Sequence, residues 1–124
     1  MLTNEQIQNV FHKAVAMCDE SGFHADNLIQ HIEYHRKKNS FATCYHHRDM
    51  LSSYSIIRIS KYYAEKANEQ QMLNTLVHEV LHAVYPNENH GGNWAKAARV
   101  MNKKYGLDIC RCADYRDENG ESIL

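Results

Sequence analysis

His78-Glu79-Val80-Leu81-His82 sits inside a run from Asn68 to Val84 in which Met72, Leu73, Leu76, Val77, Val80, Leu81 and Val84 recur at helical spacing. The pattern predicts an amphipathic helix beginning near Asn68 and stopped by Pro86, the only proline of the chain. An advance from residue 78 to 82 is slightly more than one helical turn, so the two imidazoles point the same way while Val80 and Leu81 turn into the core. Two nitrogens on consecutive turns suit two corners of a zinc tetrahedron at about 2.0–2.1 Å. Glu79 then lies beside the metal without ligating it. A carboxylate there can take a proton from a metal-activated water, whose pKa falls towards about 7, and pass it to the leaving amine.

A catalytic zinc needs three protein ligands and one open position. The sequel, Tyr85-Pro86-Asn87-Glu88-Asn89-His90-Gly91-Gly92-Asn93-Trp94, ends the helix and returns through a flexible His-Gly-Gly turn, which makes His90 available as the third nitrogen. Glu88 in the same loop competes with it, as do the more distant Glu118 and Glu121; ligand chemistry favours His90. The longer HExxHxxGxxH form does not fit, because Tyr85 stands where its glycine belongs and His90 comes too late.

Working outward, Thr3 and Gln6 have the form of a capping box, and Ile7, Val10, Phe11, Ala14, Val15 and Cys18 follow at helical spacing. A first helix is expected from about Asn4 to Asp19. Residues 28–60 are richer in β-branched and aromatic residues between polar breaks, which predicts three short strands, about 30–36, 41–47 and 54–60. After the polar loop Asn87–Asn93, residues Trp94, Ala97, Ala98, Met101 and Tyr105 predict a last helix, closed by Gly106. The expected architecture is α+β: an N-terminal helix, a small three-stranded antiparallel-type sheet, the HExxH helix and one following helix, a minimal zincin-like arrangement. The tail from Cys110 onward gives no clear element.

At 124 residues, 44% hydrophobic and 23% charged, the chain suits one domain with one core. The formal net charge of -1 argues against the global basic field of a dedicated nucleic-acid binder. The N-terminus lacks the basic start and apolar run of a signal peptide, and no stretch is long and apolar enough for a membrane span, so a cytoplasmic location and no membrane partner are expected. In that compartment Cys18, Cys44, Cys110 and Cys112 read as thiols rather than disulfides.

Most of the nine histidines must do something other than bind metal. His12, His24, His31, His35, His46 and His47 read first as surface or sheet residues; for His46-His47, at a strand end near the cleft, the second reading is substrate orientation. Cys18 and Cys44 read as core, and Cys110 and Cys112 supply only two ligands, too few for a closed zinc centre. Arg36-Lys37-Lys38 with Arg48, and Lys103-Lys104, read first as solvated faces and second as a DNA-contacting groove. Tyrosines 62, 63, 85, 105 and 115 read as packing residues with their hydroxyls near water.

Together, His78-Glu79-Val80-Leu81-His82, then His90-Gly91 shortly before Asn93-Trp94, and the preceding hairpin from Cys44-Tyr45 to Ile57-Arg58-Ile59-Ser60, resemble the SprT-like domain family, which includes the Spartan proteases that act on DNA-protein crosslinks. The resemblance runs from about residue 5 to 112. It implies the same order of elements, a Zn2+ cofactor held by His78, His82 and His90, Glu79 as the catalytic acid-base residue, and protein or peptide substrates in a DNA-associated setting. Many members of that family continue into a zinc ribbon with paired cysteines, whereas here only Cys110-Arg111-Cys112 is present. The expected division is therefore a metalloprotease domain over 1–112 and a polar tail over 113–124, the possible start of such a ribbon.

Three function classes use these residues differently. The leading expectation is a zinc metalloprotease. The second is a zinc-stabilised adaptor that binds DNA or protein with little hydrolysis, against which Glu79 argues, since a structural zinc is normally closed by four ligands and has no use for a base. The third, an ordinary helical domain without metal, would leave the three histidines unrelated in space.

Overall fold

The structure, a computed structural model, describes residues 1–110; Cys112, Tyr115, Glu118, Glu121 and the tail 113–124 lie outside the described residues. The elements follow the order α1 (Asn4–Glu20), β1 (Glu33–His35), β2 (Ala42–Arg48), β3 (Ser53–Ser60), α2 (Lys61–Lys66), α3 (Glu69–Val84) and α4 (Gly92–Tyr105). The class is α+β.

Helix α1 starts on the Thr3/Gln6 capping box, with Gln6 N donating to Thr3 Oγ1 at 3.1 Å and Thr3 N donating to Gln6 Oε1 at 2.8 Å. Its stripe of Ile7, Val10, Phe11, Ala14 and Cys18 is buried. Helix α3 begins on a second capping box, Asn68 with Gln71, and buries Met72, Leu76, Val77, Val80 and Leu81 completely. It is the hub, packed against α1, strands β2 and β3, and α4. Cutting Leu76 back to alanine would cost about 2–5 kcal/mol for that reason.

The sheet has the order β1-β3-β2 and is mixed: β2 pairs antiparallel to β3, whereas β1 pairs parallel to it, which corrects the antiparallel expectation. β3 carries Ile56, Ile57 and Ile59 and takes the centre, so β1 pairs with its far edge. The chain reverses over 36–41, so β1 runs opposite to β2 and hence along β3. β1 is also shorter than expected. Its track begins as a bridge from Leu28 to Ser55 but breaks at residues 30–32, where Gln8 of α1 takes over the backbone groups, donating to the Gln30 carbonyl at 2.9 Å and accepting from Ile32 N at 3.1 Å.

Helix α2 was not anticipated, because six residues are too few to display a period; its Tyr63 and Ala64 are buried. Helix α4 ends as expected on Gly106, whose φ of +65° is in the left-handed region glycine tolerates. Among the described residues no helix is long and apolar enough to cross a membrane.

Candidate metal centre

Because α3 is locked into the core by its apolar stripe, the opposite face of its last turns presents His78 and His82 towards a cleft. The chain then leaves the helix at Tyr85, whose N–H still bonds to the Leu81 carbonyl at 3.0 Å, turns with Glu88 N on the Tyr85 carbonyl at 3.1 Å, and re-enters as α4 at Gly92. Glu88 fastens this return: its Oε1 accepts from Asn93 N at 2.9 Å, at the start of α4 where helix N–H groups have no helical partner. Gly92 has a φ of +57°, and a side chain there would run into the Glu88 carboxylate. The loop so held places His90 over the helix.

The three Nε2 atoms form a nearly equilateral triangle, 3.2 Å from His78 to His82, 3.1 Å from His82 to His90 and 3.2 Å from His90 to His78. Ligands at about 2.0–2.1 Å around a tetrahedral centre stand roughly 3.3 Å apart, so the spacing fits one small divalent ion. Three nitrogens this close gain little from one another, since a neutral imidazole offers at most one N–H to share among facing lone pairs. Burial and mutual repulsion keep the rings of His78 and His82 unprotonated and ready to ligate: the pKa of His78 is pushed down to about 3, by burial first and then by His82 and His90, and that of His82 to about 4, by burial first and then by His90. His78 is also hydrogen-bonded to the Cys110 backbone, the kind of contact that fixes a ligating ring. Among the described residues these three histidines are the one group of such side chains close enough to hold an ion.

Glu88, the nearer of the carboxylate competitors, is outside that group; its carboxylate is engaged with α4 instead. Glu79 is buried, 7% exposed, and burial raises its carboxyl pKa from 4.5 to about 8. Its Oε1 lies 3.9 Å from His78 Nε2. With one pKa lowered and the other raised, both groups are uncharged at neutral pH in the metal-free protein, so this contact is not an ion pair.

The cleft has a volume of about 670 Å³. One wall is α3 from Gln71 to His82, another the 86–90 loop, and the facing wall is β2, from which Ala42, Cys44 and His46 line the space. Cys44 is therefore half-buried in the cleft wall rather than core, whereas Cys18 is fully buried. His47 turns away, stacked on Tyr54 and bonded to Asp49 at 2.7 Å. His12 and His24 bond to Gln8 and Asp19, His31 is exposed, and His35 lies on β1. Tyr63 packs in the core as expected, at 1% exposed, but its hydroxyl is bonded within the protein, to the Gln71 carbonyl at 2.9 Å and Thr75 Oγ1 at 2.7 Å.

Spacing alone assigned Trp94 to the apolar stripe of the last helix and missed its place at the site. The indole is buried, contacts all three imidazoles and points Nε1 at the His78 carbonyl, 3.4 Å away. The available signal was that the chain's only tryptophan follows His90 by four residues, in the first turn of the helix that the loop enters. The runs Arg36-Lys37-Lys38 and Lys103-Lys104 are exposed, and Lys104 bonds to Ser21 Oγ at 3.2 Å.

Comparison with curated proteins and with solved structures gave no match. The SprT-like family is matched over residues 7–113, from the first turns of α1 past the end of the last described loop, and the chain belongs to that family.

Proposed function

We propose that this protein is a zinc-dependent metallopeptidase that hydrolyses peptide bonds of protein substrates, with His78, His82 and His90 as metal ligands and Glu79 as general base. The observation that supports this reading most is the convergence of three Nε2 atoms at ligand spacing beside a buried carboxyl group that ligates nothing. All-nitrogen donors suit zinc. When bound, the ion supplies Lewis acidity that makes water a nucleophile near neutral pH and draws the neighbouring carboxyl to its charged form. Glu79 then accepts the proton of the attacking water on Oε1 or Oε2 and delivers it to the amide nitrogen as the C–N bond breaks.

A peptide substrate is favoured by the cleft's far wall. β2 is an edge of the described sheet, so its outward N–H and C=O groups are available to an extended chain laid along the cleft, with main-chain bonds giving affinity and alternate side-chain pockets giving specificity. Family membership and the exposed basic runs support a DNA-associated setting for these substrates, and we place the catalytic unit at 1–112. Elemental analysis of the purified protein, together with cleavage of an unfolded protein with and without single- and double-stranded DNA, tests the reading. One zinc per chain with cleavage by wild type, and retained zinc without cleavage in Glu79→Gln, is expected. Equal cleavage by that variant would remove the mechanism, and full zinc occupancy with no cleavage would favour the adaptor.

A further inference from the structure

One more side chain with catalytic chemistry faces the cleft from the wall opposite the metal centre. Ala42, Cys44 and His46 alternate along one face of β2, and all three line the cleft. Cys44 responds electrostatically to Glu79 when that carboxyl is ionised, and His82 responds to His46, so residue 44 lies towards the buried carboxyl and residue 46 towards the second imidazole.

The ring of His46 is held from behind. Its Nδ1 lies 2.8 Å from Oγ of Ser55, its partner in the β2–β3 ladder. Ser55 is buried, and its backbone is anchored on both sides, N–H to the Asn27 carbonyl at 2.9 Å and carbonyl to Ile29 N–H at 2.8 Å. Among the described residues, the His46 ring is the side-chain hydrogen-bond partner of this buried hydroxyl. If Nδ1 donated instead, the Ser55 proton would be left buried without a strong acceptor, which is costly. An imidazole nitrogen is a strong acceptor, so the bond runs from Ser55 O–H to His46 Nδ1. Burial, and then Arg48, lower the pKa of His46, so at neutral pH the ring is neutral, and a neutral ring that accepts at Nδ1 carries its hydrogen on Nε2.

We propose that His46 donates a hydrogen bond from Nε2 to the carbonyl oxygen of the peptide bond being cut, with Ser55 as the positioning residue that sets this tautomer. A donor aimed where negative charge develops stabilises the transition state more than the ground state, so it acts on kcat rather than on KM. The inference rests on the peptidase reading of the same cleft.

The test uses zinc-loaded full chain and unfolded casein. His46→Ala is expected to lose about 10²-fold in kcat, the usual scale for one such donor, with KM little changed and zinc content intact. His46→Gln, which keeps a side-chain N–H, recovers part of the loss. Long-range 15N–1H spectra of the wild type should show Nδ1 of His46 without a proton and Nε2 with one, and Ser55→Ala should weaken that preference. Wild-type kcat in His46→Ala, or a proton found on Nδ1, overturns the role of His46 while leaving the peptidase reading intact. A zinc-loaded wild type that cleaves nothing overturns both.

Discussion

Trp94 lies against His82 with ring centroids 5.2 Å apart and planes only 22° from parallel, while it meets His78 and His90 at steep angles, each with centroids 4.8 Å apart. One indole thus touches three rings that come from two separate segments. Because it belongs to α4, it makes the position of that helix a condition for the triangle of nitrogens.

Replacing it tests that condition. Trp94→Leu keeps an apolar filling but removes the flat surface that orients the rings, and metal affinity is expected to fall about 10- to 100-fold, the range for residues that orient ligands. Trp94→Ala should add a loss of stability of about 3–5 kcal/mol for the cavity. Competition with a chromophoric chelator reads the first effect and thermal unfolding the second. Unchanged affinity in the leucine variant would show that the α3 core and the 86–91 loop orient the histidines unaided.

The loop itself is tested at its glycines. Gly92 and Gly106 both have left-handed backbone, at φ of +57° and +65°, but a Cβ at 106 meets nothing within 4 Å whereas one at 92 meets the Glu88 carboxylate. Each alanine substitution should cost about 1–2 kcal/mol for its backbone conformation. Gly92→Ala should cost more and should also weaken metal binding, because Glu88 must release Asn93 and His90 shifts with it. Gly106→Ala should leave the metal affinity as it was. Equal effects at both positions, read by unfolding and by zinc titration, would show that the Glu88 clasp does not position His90.

The contrast between these residues also explains what the sequence made legible. His78 and His82 share a helix, so their convergence follows from its period, and the helix follows from its apolar stripe and capping residues. The placement of His90 depended on a loop, where chemistry named the residue but not the Glu88 contact that fixes it. Cys44 reaches the cleft, Ser55 reaches His46 and Trp94 reaches the three histidine rings through tertiary packing, which is invisible to local periodicity. The parallel partner of β3 was missed for the same reason: it follows from β3 taking the place between β1 and β2 in the sheet, and Gln8 interrupts β1 from a distant helix. Helix α2 is too short to announce itself.

The metal-free protein should show a stability maximum near pH 6.5, because its buried histidines and its buried carboxyl respond to pH in opposite senses. His78 and His82 titrate at about 3 and 4 when folded but near 6.5 when unfolded, so below pH 6.5 the unfolded chain binds more protons and stability falls on acidification. Glu79 acts oppositely. Its folded pKa of about 8 stands above its unfolded value of 4.5, so the folded chain holds the extra proton and stability falls as pH rises through that window. Between pH 4.5 and 6.5 the two histidines outweigh the one carboxyl, and from 6.5 to 8 Glu79 acts alone, with a fall of about 2 kcal/mol expected across that interval. Urea unfolding of the chelator-treated protein at a series of pH values measures this. In Glu79→Gln the alkaline fall should vanish while the acidic fall remains. An alkaline fall of undiminished size in that variant would assign it to another group and would mean that the carboxyl of Glu79 is not held protonated by its burial.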